Sequence, residues 1–180
     1  MAIRKWVLDP VHTQIQFKVR HMMISTVTGS FSDYEGTVET EEEDFMKAKV
    51  NFSAEVGSLS TGSAERDAHL KGPEFFDSAK HPLITFKATK YESVDDDGSY
   101  ELYGDLTVKG VTRSLRLDVE FGGVVKDPWG NTKAGFTING KINRKDFGLE
   151  WNVVTEAGGI LVGEEVKIAL EVQLIEHRDN

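Results

Sequence analysis

Arg66, Asp67 and His69 put a guanidinium, a carboxylate and an imidazole within one short run of the chain. Neighbouring residues on a helix point about 100° apart, so the three cannot share a face, whereas Arg66 and His69, one turn apart, can. Either suits a phosphate or carbonyl oxygen, while a purely structural salt bridge, common on helix surfaces, is the weightier reading. Arg144, Asp146 and Trp151 form a second group. The alternation of Phe136, Ile138, Gly140 and Ile142 carries Arg144 to the inward face, where a guanidinium must be paired, and Asp67 or Asp146 is the expected partner. The histidines at 12, 21, 69, 81 and 177 form no HxH, HxxxH or HExxH spacing, so no metal site is expected. His12 and His81 read as turn-stabilising groups beside Pro10 and Pro82. With no cysteine and no GxSxG there is no thiol nucleophile, no disulfide and no serine elbow, and no catalytic residue is assigned.

The elements that must position these groups follow from hydrophobic alternation. After a short lead strand at Trp6 to Leu8, Ile15, Phe17 and Val19 alternate with polar residues. From Val27 to Phe31 the apolar phase is odd and from Tyr34 to Val38 it is even, which predicts a bulge at Ser32 and Asp33. The acidic run from Thr40 to Asp44 reads as a solvated turn, and Ala48, Val50, Phe52, Ala54 and Val56 mark the next strand. Four more runs are centred on Phe86, Leu106, Leu117 and Ile138, and a last one spans Val166 to Leu174. Asp95 to Gly98, Lys109 to Thr112 and Asp127 to Asn131 supply the turns between them.

One stretch interrupts this pattern. Ser63 suits an N-cap, Ala64 to Lys71 a short helix, Gly72 a left-handed C′ position, and Pro73 forbids continuation. Glu74 to Asp77 then form a second turn aiming Phe75 and Phe76 at apolar surface, so Ser63 to Asp77 reads as a separable lid.

Eight or nine antiparallel strands with one apolar face can stack as a sandwich or close as a barrel. Closing eight removes the edges and leaves an interior wide enough for side chains or one small ligand. Gly29, Gly104 and Gly140, on inward phase, withhold bulk from that interior. The expectation is an all-β, eight-stranded antiparallel barrel with a cavity and one short helical insertion, a single domain over residues 1–180. A net charge of -9 argues against unspecific binding to nucleic acid or anionic membranes. MAIRKWVLDP shows no apolar signal-type segment before Trp6, and no window reaches transmembrane length, so a soluble cytoplasmic protein is expected.

Four separated blocks resemble one family. They are WVLDPVHTQIQFKVRHMMISTVTGSF, TGSAERDAHLKGPEFFDSAKHPLITF, GDLTVKGVTRSLRLDVEF and INRKDFGLEW. In this order they are similar to the YceI-like, polyisoprenoid-binding proteins of bacteria. The resemblance implies a lipocalin-like barrel that holds a long isoprenoid or other amphiphilic chain, and it implies homodimers.

The expected apolar tunnel is lined on the strands by Phe17, Val19, Phe31, Val50, Phe52, Ile84, Phe86 and Leu106. Leu115, Leu117, Phe136, Ile138 and Ile142 continue it, and Phe75, Phe76 and Trp151 close it. Arg66, His69 and Arg144 are the expected polar-head contacts. No cofactor is required beyond the bound isoprenoid-type or other long-chain lipid, and no stable membrane insertion is expected. An enzyme acting on an isoprenoid or quinone-like head group is the alternative; a structural module would need a packed interior.

Overall fold

The computed structural model describes residues 2–95, 98–151 and 162–177. Its strands are β1 (Ile3–Leu8), β2 (Gln14–His21), β3 (Ser25–Phe31), β4 (Tyr34–Glu41), β5 (Asp44–Glu55), β6 (Leu59–Ser60), β7 (Leu83–Ser93), β8 (Ser99–Val108), β9 (Val111–Lys126), β10 (Thr132–Asn143) and β11 (Val162–His177). The helix α1 (Ala64–Lys71) joins β6 to β7.

These eleven segments make eight barrel staves. β2 pairs with β3 and β1 with β4, so β1 and β2 lie along one stave and β3 and β4 along its neighbour. β5 and β6 continue the order beside them, and β7 to β11 follow one by one. β11 closes the sheet by pairing with β2 over Val162–Glu171 and with β1 over Leu174–His177. The fold is a closed, eight-stranded, antiparallel barrel with one short helix. Up-and-down connectivity puts the β2–β3, β6–α1–β7, β8–β9 and β10–β11 connections at one end, called here the helical end. The β4–β5, β7–β8 and β9–β10 turns lie at the other.

Three staves are broken at the same level. The phase change at Ser32 and Asp33 is present, but as a break between β3 and β4, not as the bulge the alternation predicts. The neighbouring staves break there too, at the β1–β2 corner and in the 3-10 turn Val56–Ser58. The Glu55 N–H donates to Asp33 O at 2.8 Å, and the Ser32 hydroxyl reaches Ser58 O at 3.5 Å, so the corner carries its own bonds.

The interior at the end opposite α1 is filled by aromatics. Trp6 is fully buried and donates Nε1–H to Thr40 Oγ1 at 2.9 Å. Phe45 packs against it at 5.1 Å and against Phe136 at 5.0 Å, and Phe121 joins both rings. Such rings supply large apolar burial in tilted contacts worth more than area alone.

The inward glycines do not leave holes, as their phase suggests. A Cβ on Gly29 would lie 2.2 Å from the Phe17 ring, one on Gly104 would lie 2.4 Å from the Phe86 ring, and one on Gly140 would lie 2.5 Å from Leu117 Cδ2. Each glycine is a recess into which a large side chain of the facing strand lies flat.

Asp9 locks the β1–β2 corner to the closing strand. Its N–H donates to Gln173 O at 2.9 Å, and its buried carboxylate accepts from Val11 N–H, His12 Nδ1 and Lys133 Nζ. Burial alone would raise the pKa of Asp9; the bonds from His12, Lys133 and Val11 outweigh it and hold the carboxyl below the ordinary value.

Two outcomes follow. Gly104→Ala is expected to destabilise the barrel by about 1–3 kcal/mol in urea denaturation, because its Cβ would also sit 2.6 Å from the Lys87 carbonyl, which cannot rotate away. Gly135→Ala, with open space around it, should stay within about 0.5 kcal/mol of wild type. Because the folded pKa of Asp9 lies below its unfolded value, its contribution is complete above pH ~4 and is lost as pH falls through the depressed folded value. Thermal melts across the acid range should therefore show a shallower acid decline for Asp9→Asn than for wild type, from a lower starting stability.

Candidate functional site

Above the aromatic plug the barrel encloses a void of about 270 Å³. Every apolar residue expected to line the tunnel does so, except Trp151. Further lining comes from Ile15, Val38, Ile168, Leu170 and Val172, whose strands and phase were legible but which the expected set omits. Tyr91 is a different matter. A register shift between Ala88 and Lys90 reverses the phase of β7, so that Tyr91 turns inward where continued alternation would turn it out.

The polar groups of the lining are few: Gln16, Asn51, Tyr91, Tyr100 and Arg144 among the described residues. Tyr91 donates to Ala48 O at 2.6 Å, and burial pushes its phenol up to about 12. Burial, with a smaller contribution from the nearby Tyr91, raises Tyr100 as well. Both phenols therefore stay neutral at physiological pH and act as hydrogen-bond groups only.

The lid forms over the helical end. Ser63 caps α1 by accepting from Arg66 N–H at 3.3 Å, as its position predicts. Gly72 is extended, with φ -80°, not left-handed. The last carbonyls of the helix are satisfied in another way, Leu70 O by Phe76 N–H and Lys71 O by Ser78 N–H, so no Schellman turn is needed. This wrapped turn carries Phe75, which is buried, and Phe76 onto the void. Lys109, in the β8–β9 turn, clamps it from outside by donating to Pro73 O at 3.2 Å.

Arg66 and His69 sit on α1 outside the lining. Arg66 donates Nε–H to Thr61 Oγ1 and an NH2 hydrogen to Thr61 O, at 2.7 and 2.6 Å. Asp67 accepts from the N–H and hydroxyl of the same Thr61, so the helix start is sewn to the end of β6. His69 contacts Glu74 Oε2 at 2.5 Å and lies edge-on between Phe75 and Trp151, at 5.2 and 4.6 Å. Trp151 thus backs the lid instead of facing the void.

Arg144 is inward and buried, as the phase of β10 requires, but its partners are neither Asp67 nor Asp146. Its guanidinium donates to four backbone carbonyls: Leu149 at 2.5 Å, Gly163 at 2.8 Å, Trp151 at 3.0 Å and Val162 at 3.2 Å. Among the described residues no carboxylate lies within ion-pair distance of it. Burial lowers its pKa and Glu164 partly offsets this, yet a guanidinium remains charged. The turn of residues 144–147 explains the block INRKDFGLEW. The Asn143 side chain caps it through Lys145 N–H, and Gly148 takes the left-handed φ of 77° that lets Leu149 N–H return to Arg144 O.

Comparison with known proteins agrees with this architecture. The YceI-like domain family matches residues 6–174. A UPF0312 protein of Pectobacterium atrosepticum is 39% identical over 160 residues, covering 89% of this chain and 80% of that protein. One from Staphylococcus aureus is 36% identical, covering 88% and 90%. Among solved structures, the YCEI protein of Campylobacter jejuni superposes with a TM-score of 0.74 at 32% identity, covering 88% of this chain and 90% of its own. BcnA of Burkholderia cenocepacia has a TM-score of 0.77 at 18% identity, covering 92% and 98%. A polyisoprenoid binding domain from Saccharophagus degradans has a TM-score of 0.66 at 14% identity, covering 96% and 98%; these last two likenesses are of fold. With a family match along nearly its whole length, and relatives above 30% identity over most of both chains, this chain belongs to the YceI-like family.

Proposed function

We propose that the protein binds a long-chain isoprenoid or similar amphiphilic lipid inside the barrel, as a cytoplasmic, homodimeric carrier. The observation that carries this reading is the void of about 270 Å³, walled almost wholly by aliphatic and aromatic side chains and covered by a turn that ends in two phenylalanines. An apolar chain gains roughly 0.8 kcal/mol for each methylene removed from water there. The solved domain of similar fold that is described as polyisoprenoid binding supports the same ligand class. Binding, not catalysis, suits the lining: its titratable groups among the described residues are two phenols held neutral by burial and an arginine engaged with backbone carbonyls.

The polar end of the ligand is proposed to lie at the helical end, oriented by Arg66 and His69 on α1 with Arg144 as supporting charge. The acidic surface would otherwise repel an anionic head, and a guanidinium offers the strongest directed donors to offset it.

Native mass spectrometry with extracted lipids should show a bound isoprenoid-type lipid in wild type. Ile138→Trp, which fills the void, should abolish that adduct with little loss of stability. Leu117→Glu should either unfold the barrel or empty it, since an unpaired charge there costs several kcal/mol. A loaded, fully stable Leu117→Glu would refute an internal apolar site. Arg66→Ala should weaken a phosphorylated isoprenoid by about 1.5–3 kcal/mol and an uncharged one of equal length much less. Equal losses for both lipids would mean that Arg66 only holds α1 to Thr61.

A further inference from the structure

The tip of the β2–β3 hairpin is Met22, Met23 and Ile24, all three exposed, Ile24 at 75%. Met22 and Met23 have φ of 51° and 61°, left-handed values for which Asn and Gly are the natural residues. The β8–β9 turn, Lys109–Gly110, meets the same demand with a glycine. The turn is held by Ile24 N–H on His21 O and by the Arg20 guanidinium, which donates to Met23 O and Thr26 Oγ1, but these bonds do not call for exposed methionines at its tip.

Three observations say what covers them. First, the tip continues the cavity wall: Val19 and Val162 line the void, and Val162 pairs with His21, the residue next to the tip. Second, the charge of the hairpin runs against that of the protein. From Gln14 to Ser32 there is no acid, while Lys18 and Arg20 are exposed, in a chain of net charge -9. The neighbouring stave contributes Glu164 and Glu165, and Glu164 is paired with Lys145 at 2.8 Å. Third, exposed acids stand at both ends, Glu41, Glu42, Glu43 and Asp44 in the β4–β5 turn and Glu65, Glu74, Asp146 and Glu150 at the helical end, so the acid-free hairpin is a part of the surface that an anionic bilayer does not repel.

We propose that Met22–Met23–Ile24, flanked by Lys18 and Arg20, docks reversibly on the interface of an anionic phospholipid bilayer and sets the helical end of the barrel against the membrane. Apolar side chains that enter the headgroup boundary beside basic residues are the recognised chemistry of such contacts. The docking rests on the lipid-binding reading, and it supplies a route by which a membrane-borne chain passes into the void without crossing water. The overall negative charge opposes adsorption of the whole surface, which confines the contact to this one hairpin.

Flotation of the full chain with phosphatidylcholine vesicles containing phosphatidylglycerol should show binding, weaker on pure phosphatidylcholine and reduced by salt. M22N/M23G, which gives the turn its preferred residues, should keep or raise the melting temperature and lower vesicle binding at least about tenfold. Trp129→Ser, altering the most exposed ring of the opposite end, should leave binding unchanged. The double variant should still take up isoprenoid from detergent solution; if wild type takes up none there, the lipid-binding reading fails, whatever the vesicles show. Docking is overturned if wild type does not float, if M22N/M23G floats as well as wild type, or if M22N/M23G converts a dimer to monomer in sedimentation velocity, which would assign the tip to a second copy of the chain.

Discussion

Closure of the sheet through β11 is the constraint on which the rest of the molecule depends. One long strand pairs with both halves of a broken stave, β2 at the helical end and β1 at the other, and so joins the last stave to the first. Closure also fixes the diameter, and the side chains then have to suit a bore they cannot change. Near the aromatic plug the bore is filled. Toward α1 it is not, because β10 and β11 carry aliphatic residues there while the rings of Phe17 and Phe86 lie against glycines in the wall.

The lid is held by polar contacts at its margins and by apolar ones at its centre. Thr61 receives both Arg66 and Asp67, Pro73 O receives Lys109, and Val56 N–H reaches Pro82 O, while Phe75 and Phe76 turn inward. The groups that look most chemical in the sequence thus spend much of their bonding on fastening α1 to the barrel.

Much of this was legible beforehand because period-two alternation is a direct report of which side of a sheet is dry. It placed the strands, the hairpins and the inward course of Arg144, and where it stops the capping residues placed the helix with its Ser63 cap. What it misplaced has physical causes. Alternation cannot separate a bulge from a break at Ser32 and Asp33, since both shift the phase by one residue. It loses Tyr91 across the register shift near Thr89. It reads an inward glycine as missing volume, whereas the cross-strand neighbour that fills the recess is known only once the register is. Nor can residue types reveal that an arginine will be satisfied by main-chain oxygens, because carbonyls belong to every residue and leave no mark in a sequence.

That last feature bears on how the site can evolve. All four acceptors of Arg144 belong to the backbone at residues 149, 151, 162 and 163, so the guanidinium dictates the path of the chain there but is indifferent to which side chains that path carries. Leu149 and Val162 face the void, and they can be exchanged for larger or smaller residues without unfastening the turn from the start of β11. Lysine could not take the place of the arginine, since one ammonium cannot span four carbonyls set around a planar fork. The arrangement separates what holds the wall in place from what the wall presents to its contents.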